Sequence, residues 1–219
     1  MLVLILGAVF YEINWISNSA EFLTYLALTF GFCSKLDFSN KNIILFLGFS
    51  ISAAFFKFFE DEVMIYYIVL VLQMLSYLFL ITEAWRHTKR ETGNKFMLIF
   101  FFLMIIANVY FVFDHFQVLK GHINGFAEFG LYSMYYMTLL VLSIVGLVYY
   151  LNSYSRKSVY FVILVMSIVV SGILRDMAHY YFPDTSVLLL QSFLHFAGIL
   201  LAFRFYATQE KKLKLMDLV

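Results

Sequence analysis

Three ionisable side chains lie together near the end of one long apolar stretch, and their spacing suits proton transfer. Arg175, Asp176 and His179 follow sixteen residues, 159–174, that carry no charge. Positions three and four apart lie on one face of a helix, so the three side chains can share a sector. A charge inside a membrane is costly and usually faces a bundle interior, a partner or a water-filled cavity. We therefore predict that the three side chains point into the bundle, with Asp176 a candidate catalytic residue and Arg175 and His179 candidate substrate-binding residues.

Other polar residues lie near the corresponding ends of neighbouring apolar stretches. The predicted catalytic residues are Asp176, Glu12, Glu21 and Asp114, and the predicted substrate-binding residues are Arg175, His179, His195, Gln191, Lys57 and Asn14. Two carboxyl groups with separated pKa values would let one donate a proton while the other delivers water. Side chains within one turn of a helix end, such as Asp114 and His179, could instead simply reach interfacial water. Ser167 and Ser171 continue inward from Arg175 at steps of four residues and form a polar stripe with it. These serines and the Arg175–Asp176 ion pair could instead only hold helices together.

Other chemistry is not indicated by the sequence. His115, His122, His179 and His195 have no ligand spacing, so we predict no metal site. No H-E-x-x-H, G-x-S-x-G or Walker pattern is present, and no cofactor is predicted. The single cysteine, Cys33, excludes an intramolecular disulfide.

The composition is that of a multi-pass membrane protein. Of the 219 residues, 63% are hydrophobic and only 13% are charged, with a mean hydropathy of +0.86. A soluble domain carries about 25% charged residues. A net charge of +1 argues against nucleic-acid binding. We therefore predict a cell-membrane protein (inner membrane in a bacterium) whose partners are membrane lipid and a small lipid-like ligand; its oligomeric state is left open.

Apolar runs long enough to cross a bilayer predict an all-α bundle of eight transmembrane helices. The whole chain, 1–219, is expected to form a single transmembrane domain. The predicted helices are 2–17, 19–34, 42–59, 63–84, 96–115, 127–151, 158–182 and 185–207. A tight turn at Ser17-Asn18-Ser19 separates the first two. The N-terminal stretch lacks the features of a cleaved signal peptide, so we interpret it as a retained helix.

The connections between these helices alternate in charge. The basic ones hold Lys35 and Lys41, then Arg86, Lys89, Arg90 and Lys95, then Arg156 and Lys157, and finally Lys211, Lys212 and Lys214. The alternate ones hold Glu60-Asp61-Glu62, Lys120 and Pro183-Asp184. Basic loops face the cytoplasm, so both termini are predicted to be cytoplasmic and the polar residues to face outward.

This layout resembles the YhhN/TMEM86 (lysoplasmalogenase-like) family. The similar stretches are IILFLGFSISAAFF at 43–56, MIYYIVLVLQMLSYLFLITEAW at 64–85, VILVMSIVVSGILRDMAHYYF at 162–182 and LLLQSFLHFAGILLAFRFY at 188–206. The resemblance implies a bundle of eight helices. It also implies hydrolysis of the vinyl-ether bond of lysoplasmalogens in an outward-facing polar pocket.

The acids that the resemblance implies are missing at their expected positions. Phe49-Ser50 is followed by Ala53-Ala54 rather than a Gly-Asp pair, and Ser171 is followed by Gly172 rather than Asp. A lysine-proline pair near the second helix also has no counterpart. Hydrolysis is therefore expected to be weak or absent, with the chemistry either lost or moved to Asp176. The alternatives are a non-catalytic relative that binds a lipid or small ligand, and an assembly subunit whose polar stripe meets a partner helix.

Overall fold

The predicted all-α class is confirmed. The computed structural model describes residues 1–11, 13–59, 62–88, 95–121, 123, 125–153 and 155–210, which hold eight α-helices and no strand. The helices are α1 Leu2–Phe10, α2 Asn14–Gly31, α3 Lys41–Phe56, α4 Val63–His87, α5 Lys95–Lys120, α6 Phe126–Ser153, α7 Arg156–Tyr180 and α8 Thr185–Ala207, with a 3₁₀ turn, Lys57–Phe59, after α3.

The predicted boundary between the first two helices is wrong. Helix α1 ends at Phe10 and α2 begins at Asn14, so the predicted turn at 17–19 lies inside α2. The helix continues through it because the polar side chains find partners: Ser19 Oγ donates to the Trp15 carbonyl at 2.7 Å, and Asn18 Nδ2 donates to the Lys57 carbonyl at 2.8 Å. The nine residues of α1 rise about 14 Å, less than the roughly 30 Å of a bilayer core.

Among the described residues, six helices, α3 to α8, are long and apolar enough to cross a membrane. The bounds of α8 are as predicted, and those of the other five helices differ by up to five residues. Local hydrogen bonds explain the shift at the start of α7. Ser155 accepts from the Ser158 backbone N–H, and Ser158 Oγ accepts from the Ser155 N–H, so this capping box starts α7 at Arg156 rather than at residue 158. Asp184 caps α8 by accepting from the Ser186 N–H at 2.7 Å.

The helices form a ring around a packed core. Along it, α2, α3, α4, α6, α7 and α8 contact their neighbours in that order, and α1 lies against α2 and α8. Helix α5 packs mainly on α6 and exposes Phe102, Ile106, Tyr110 and Phe113 on one face. Such an apolar face suits contact with lipid in a multi-pass membrane protein.

Candidate functional site

Three of the predicted site residues come together from three different elements. Lys57 Nζ lies 2.9 and 2.8 Å from the two carboxylate oxygens of Glu21, and His195 Nε2 lies 3.0 Å from Glu21 Oε1. The side chains of Glu21, Lys57 and His195 are 14%, 11% and 18% exposed. The sequence supplied these residues on α2, after α3 and on α8, and the fold makes them one ion-paired cluster. We call it the Glu21 cluster.

The 3₁₀ turn after α3 positions Lys57 in this cluster. Its backbone carbonyl accepts from Asn18, and its ammonium group binds Glu21, which is three residues further along α2. Residues three apart lie on the same helix face, so α2 holds both ends of Lys57 at once. Glu21 is thereby fixed where it can also hold the His195 ring.

A small cavity lies beside His195. It measures about 20 Å³, room for about one water molecule. Its polar lining comes from Tyr25, Ser50, Tyr77 and His195, and its apolar lining from Phe46, Ile168, Gly198 and Ile199. Because Nε2 of His195 is bonded to Glu21, a molecule in the cavity would meet the imidazole through Nδ1. An imidazole oriented by a carboxylate next to space for water is a general acid–base arrangement.

A second cluster surrounds Asp176, which has no exposed surface. Its Oδ1 accepts from Arg175 Nε at 2.9 Å, and its Oδ2 accepts from the Tyr136 hydroxyl. Arg175 Nη1 donates to Gln73 Oε1 at 3.0 Å, and the guanidinium carbon lies 5.1 Å from the Tyr135 ring centre. Arg175 Nη2 is buried without a hydrogen-bond partner among the described residues. The Asp176 cluster therefore keeps one cationic donor for a further group.

A chain of hydrogen bonds leads from Asp176 toward the end of the bundle. His115 Nε2 lies 2.6 Å from the Tyr136 hydroxyl, and His115 Nδ1 lies 3.0 Å from the Tyr181 hydroxyl. Because Tyr136 donates to Asp176, its oxygen accepts from His115 Nε2–H, and a neutral His115 then accepts from Tyr181 at Nδ1. The order of donors from Tyr181 inward to Asp176 is thereby fixed.

Three of the remaining predicted residues, Asp114, His179 and Gln191, lie outside these clusters. Asp114 is exposed, His179 is exposed and stacks on Tyr66 at 5.8 Å, and Gln191 contacts Ser192. Glu12, His122 and the side chain of Asn14 lie outside what the structure describes. Asp176 and Glu21 belong to separate hydrogen-bonded clusters, so these two carboxylates are not arranged as a pair about one bond.

The polar stripe of α7 points into the chain itself. Ser167 and Ser171 are buried, and their hydroxyls donate to the carbonyls of Ile163 and Ile168 at 2.9 and 3.1 Å. These serines are therefore satisfied by their own helix. The stripe packs within the bundle and carries no interhelical serine bond in the part of the chain described.

Sequence reasoning missed Gln73 and the tyrosines of both clusters. Gln73 is an isolated amide in an apolar helix, a signal that could have found it. Tyr25, Tyr77 and Tyr136 were hidden among 16 tyrosines, which are common at membrane interfaces. Within the described residues, no three His, Cys, Asp or Glu side chains are grouped so that they could hold a metal ion.

Comparison of the chain with protein-family models, with curated proteins and with solved structures gave no match in any of the three.

Proposed function

We propose that this chain is a multi-pass membrane hydrolase that cleaves the vinyl-ether bond of lysoplasmalogen-type lipids, with His195 as the group that moves protons. The observation that carries the proposal is the ion-paired set Glu21–His195 beside a cavity of about 20 Å³. The choice of lysoplasmalogens as the substrate rests on the family resemblance of the sequence. The choice of His195 comes from the geometry, which offers an acid–base residue where the expected acids are absent.

The reaction needs a proton on carbon and a hydroxyl from water. Protonated His195 would donate to carbon 2 of the alkenyl chain, and the ether oxygen would stabilise the cation formed at carbon 1. Neutral His195 would then take a proton from the water that adds to carbon 1. The resulting hemiacetal breaks down to a fatty aldehyde and the glycerol hydroxyl. The Glu21 carboxylate holds the imidazole through Nε2 and fixes its orientation in both steps, as a carboxylate does in a catalytic triad.

Arg175 has the chemistry to bind the anionic part of such a lipid. Asp176 and Gln73 fix the orientation of its guanidinium, and Nη2 remains as a buried donor. Guanidinium groups bind phosphate oxygens well because of their planar donor geometry. Asp176 in this assignment positions Arg175 and does not touch the reacting atoms.

The site would face the outer leaflet. We place the basic connections in the cytoplasm, with both ends of the chain, following the positive-inside rule. Lys57 and Arg175 then belong to the outer half, because α3 and α7 both begin at basic connections and carry these residues near their far ends.

Aldehyde release from a lysoplasmenyl lipid by the purified protein tests the proposal. His195→Gln should lower the rate by roughly 10²–10⁴-fold, the usual contribution of a general acid–base residue, and Glu21→Gln should lower it in the same direction. His179→Gln is the matched control, since that histidine is exposed at the bundle end, and it should keep the parent rate. Full turnover in His195→Gln together with loss in Asp176→Asn would move the chemistry to Asp176.

The second candidate is a non-catalytic relative that binds a lysolipid. The cavity of about 20 Å³ has room for water alone, so in either candidate the lysolipid chain would lie outside it. At Gly172, where the resemblance implies an acid, an added Cβ would lie 2.8 Å from the Tyr135 hydroxyl. Saturable lysolipid binding without aldehyde release would favour this candidate. An assembly subunit has less support, because the hydroxyls of Ser167 and Ser171 donate to carbonyls of their own helix.

A further inference from the structure

A third polar cluster lies at the opposite, basic-loop end of the bundle. Glu83 on α4 and Lys157 on α7 are 2% and 6% exposed. Glu83 Oε2 accepts from the side-chain amides of Asn40 and Asn42 at 2.9 and 3.0 Å, at the start of α3. Glu83 and Lys157 flank His87 at the end of α4. The hydrolase proposal uses none of these residues.

His87 is placed between two groups that it cannot bind at the same time. Its Nε2 lies 3.0 Å from Glu83 Oε1 and 3.1 Å from Lys157 Nζ. With a proton on Nε2 the ring donates to Glu83, whereas with a lone pair on Nε2 it accepts from the Lys157 ammonium. The same atom therefore has two bonding patterns, and the proton on Nε2 decides between them.

The segment after α8 is attached to the same end of the bundle. The Glu210 carboxylate accepts from the hydroxyls of Tyr149 and Ser153, which are 0% and 5% exposed. Partial burial alone would raise the pKa of Glu210, but hydrogen bonds from Ser153, Tyr149 and Ser155 outweigh it and hold the pKa below its usual range. Glu210 is therefore an anion at neutral pH.

The charge of the Lys157 ammonium connects His87 with the attached segment at Glu210. The Lys157 ammonium lies 5.0 Å from the centre of the Phe205 ring, near the end of α8. The groups around the imidazole are Glu83 on its own helix, Lys157 on α7, Tyr149 on α6 at 6.5 Å between ring centres, and Glu210 beyond α8. A protonated His87 and the Lys157 ammonium would repel each other at 3.1 Å. Glu83 and Glu210 both attract the Lys157 ammonium. Protonated His87 neutralises part of the Glu83 charge, so the attraction of Lys157 to Glu210 becomes relatively stronger.

We propose that His87 is a proton-binding site that controls how tightly the segment after α8 is held. With His87 neutral and its proton on Nδ1, Lys157 donates to Nε2, and Glu210 is held by hydroxyl groups. With His87 protonated, Nε2–H turns to Glu83, and Lys157 moves to the Glu210 carboxylate. Acidification therefore tightens the attachment of residues 208–210 to the end of α6 and the start of α7.

A nitroxide at the exposed position 209 reports this attachment. The label is placed on Gln209→Cys in a Cys33→Ser background, since the native cysteine is exposed. The mobile fraction in the spin-label spectrum should fall as the pH decreases from about 8 to about 5, the range in which histidine changes charge. His87→Gln should abolish this dependence. The control His179→Gln, which changes an exposed histidine at the other end, should retain it.

Two further variants keep the test decisive. Glu210→Gln removes the anion without a change in shape, so the label should be mobile throughout the pH range. Lys157→Met should leave the mobility independent of pH even if it weakens the bundle. The proposal is overturned if the parent label shows constant mobility from about pH 8 to about pH 5, or if His87→Gln titrates as the parent does.

Discussion

Asp176 shows at the residue scale how a charge is accommodated in this bundle. It has no exposed surface, and its two carboxylate oxygens accept hydrogen bonds from Arg175 and Tyr136. A buried ion pair contributes little net stability, because desolvation of both charges offsets their attraction. Removal of one partner, in contrast, leaves the other charge buried alone. Arg175 and Asp176 are therefore expected to depend on each other.

Single substitutions of this pair should be costly and the double substitution less so. Arg175→Ala or Asp176→Ala should each lower the free energy of unfolding by about 3–5 kcal/mol, seen as a lower melting temperature in detergent. Arg175→Met/Asp176→Leu should recover part of the loss, because no unpaired charge remains. Asp114→Ala, at an exposed carboxylate, is the control. Nearly silent single variants with additive effects would show that the two side chains act independently.

The sequence could name charged residues but not their pairing. Glu21, Lys57 and His195 were predicted as site residues, and the structure joins them around Glu21. Hydropathy gives the depth of a residue along its helix, whereas the rotation of that helix decides which neighbour it meets. Lys157 illustrates the limit, because it was interpreted as a loop residue and is 6% exposed inside the bundle.

At the element scale, the contact between α6 and α7 depends on two glycines. A Cβ added at Gly172 would lie 2.8 Å from the Tyr135 hydroxyl, and one at Gly146 would lie 3.2 Å from Val165 Cγ2. The first distance is too short for any real contact, so Gly172 lets the Tyr135 hydroxyl occupy the space of a side chain. This close approach also holds Tyr135 against the Arg175 guanidinium.

Gly172→Ala should destabilise the protein by about 1–3 kcal/mol through overpacking. Tyr135→Phe removes the clashing hydroxyl, so the double variant should be less destabilised than the sum of the two single effects. Gly48→Ala is the matched control in α3, because nothing lies within 4 Å of its added Cβ. The melting temperatures of these four variants and of the parent, in detergent, measure the effects. Strict additivity would mean that the hydroxyl does not restrict position 172.

Hydropathy predicted most helices to within a few residues but placed the first boundary wrongly. Helices α3 to α8 are long apolar runs between charged connections, so their number and order can be predicted from the sequence. The break between α1 and α2 was misplaced because Ser17, Asn18 and Ser19 resemble a turn. Two of these side chains bond to backbone carbonyls within or beside α2, a compensation that only the fold reveals.

At the scale of the whole molecule, the polar clusters occupy two ends of a bundle with an apolar middle. The Asp176 cluster and the third polar cluster, around Glu83 and His87, both consist of side chains from α4, α6 and α7. Between them these helices contribute Leu80, Leu142 and Phe161, each with no exposed surface. The two ends are thus separated by close-packed apolar side chains, and each proposal can be tested without the other.

The chain contains its own probe for orientation. Cys33 is exposed in the connection between α2 and α3, which the alternation of basic loops predicts to be cytoplasmic. In intact cells it should resist an impermeant thiol reagent and react after permeabilisation. Lys120→Cys in a Cys33→Ser background should label at once. Labelling of Cys33 with protection at position 120 would invert the topology and place the Glu21 cluster on the cytoplasmic side.

Rescue of a histidine deletion by imidazole tests the central claim most directly. The claim is that His195, held by Glu21 beside the cavity, transfers the protons of vinyl-ether hydrolysis. His195→Ala leaves space next to that cavity for a free imidazole. The account predicts that aldehyde release from a lysoplasmenyl lipid is lost in His195→Ala and returns in proportion to added imidazole, with no such gain for His179→Ala. Release by His195→Ala at the parent rate without imidazole would contradict it.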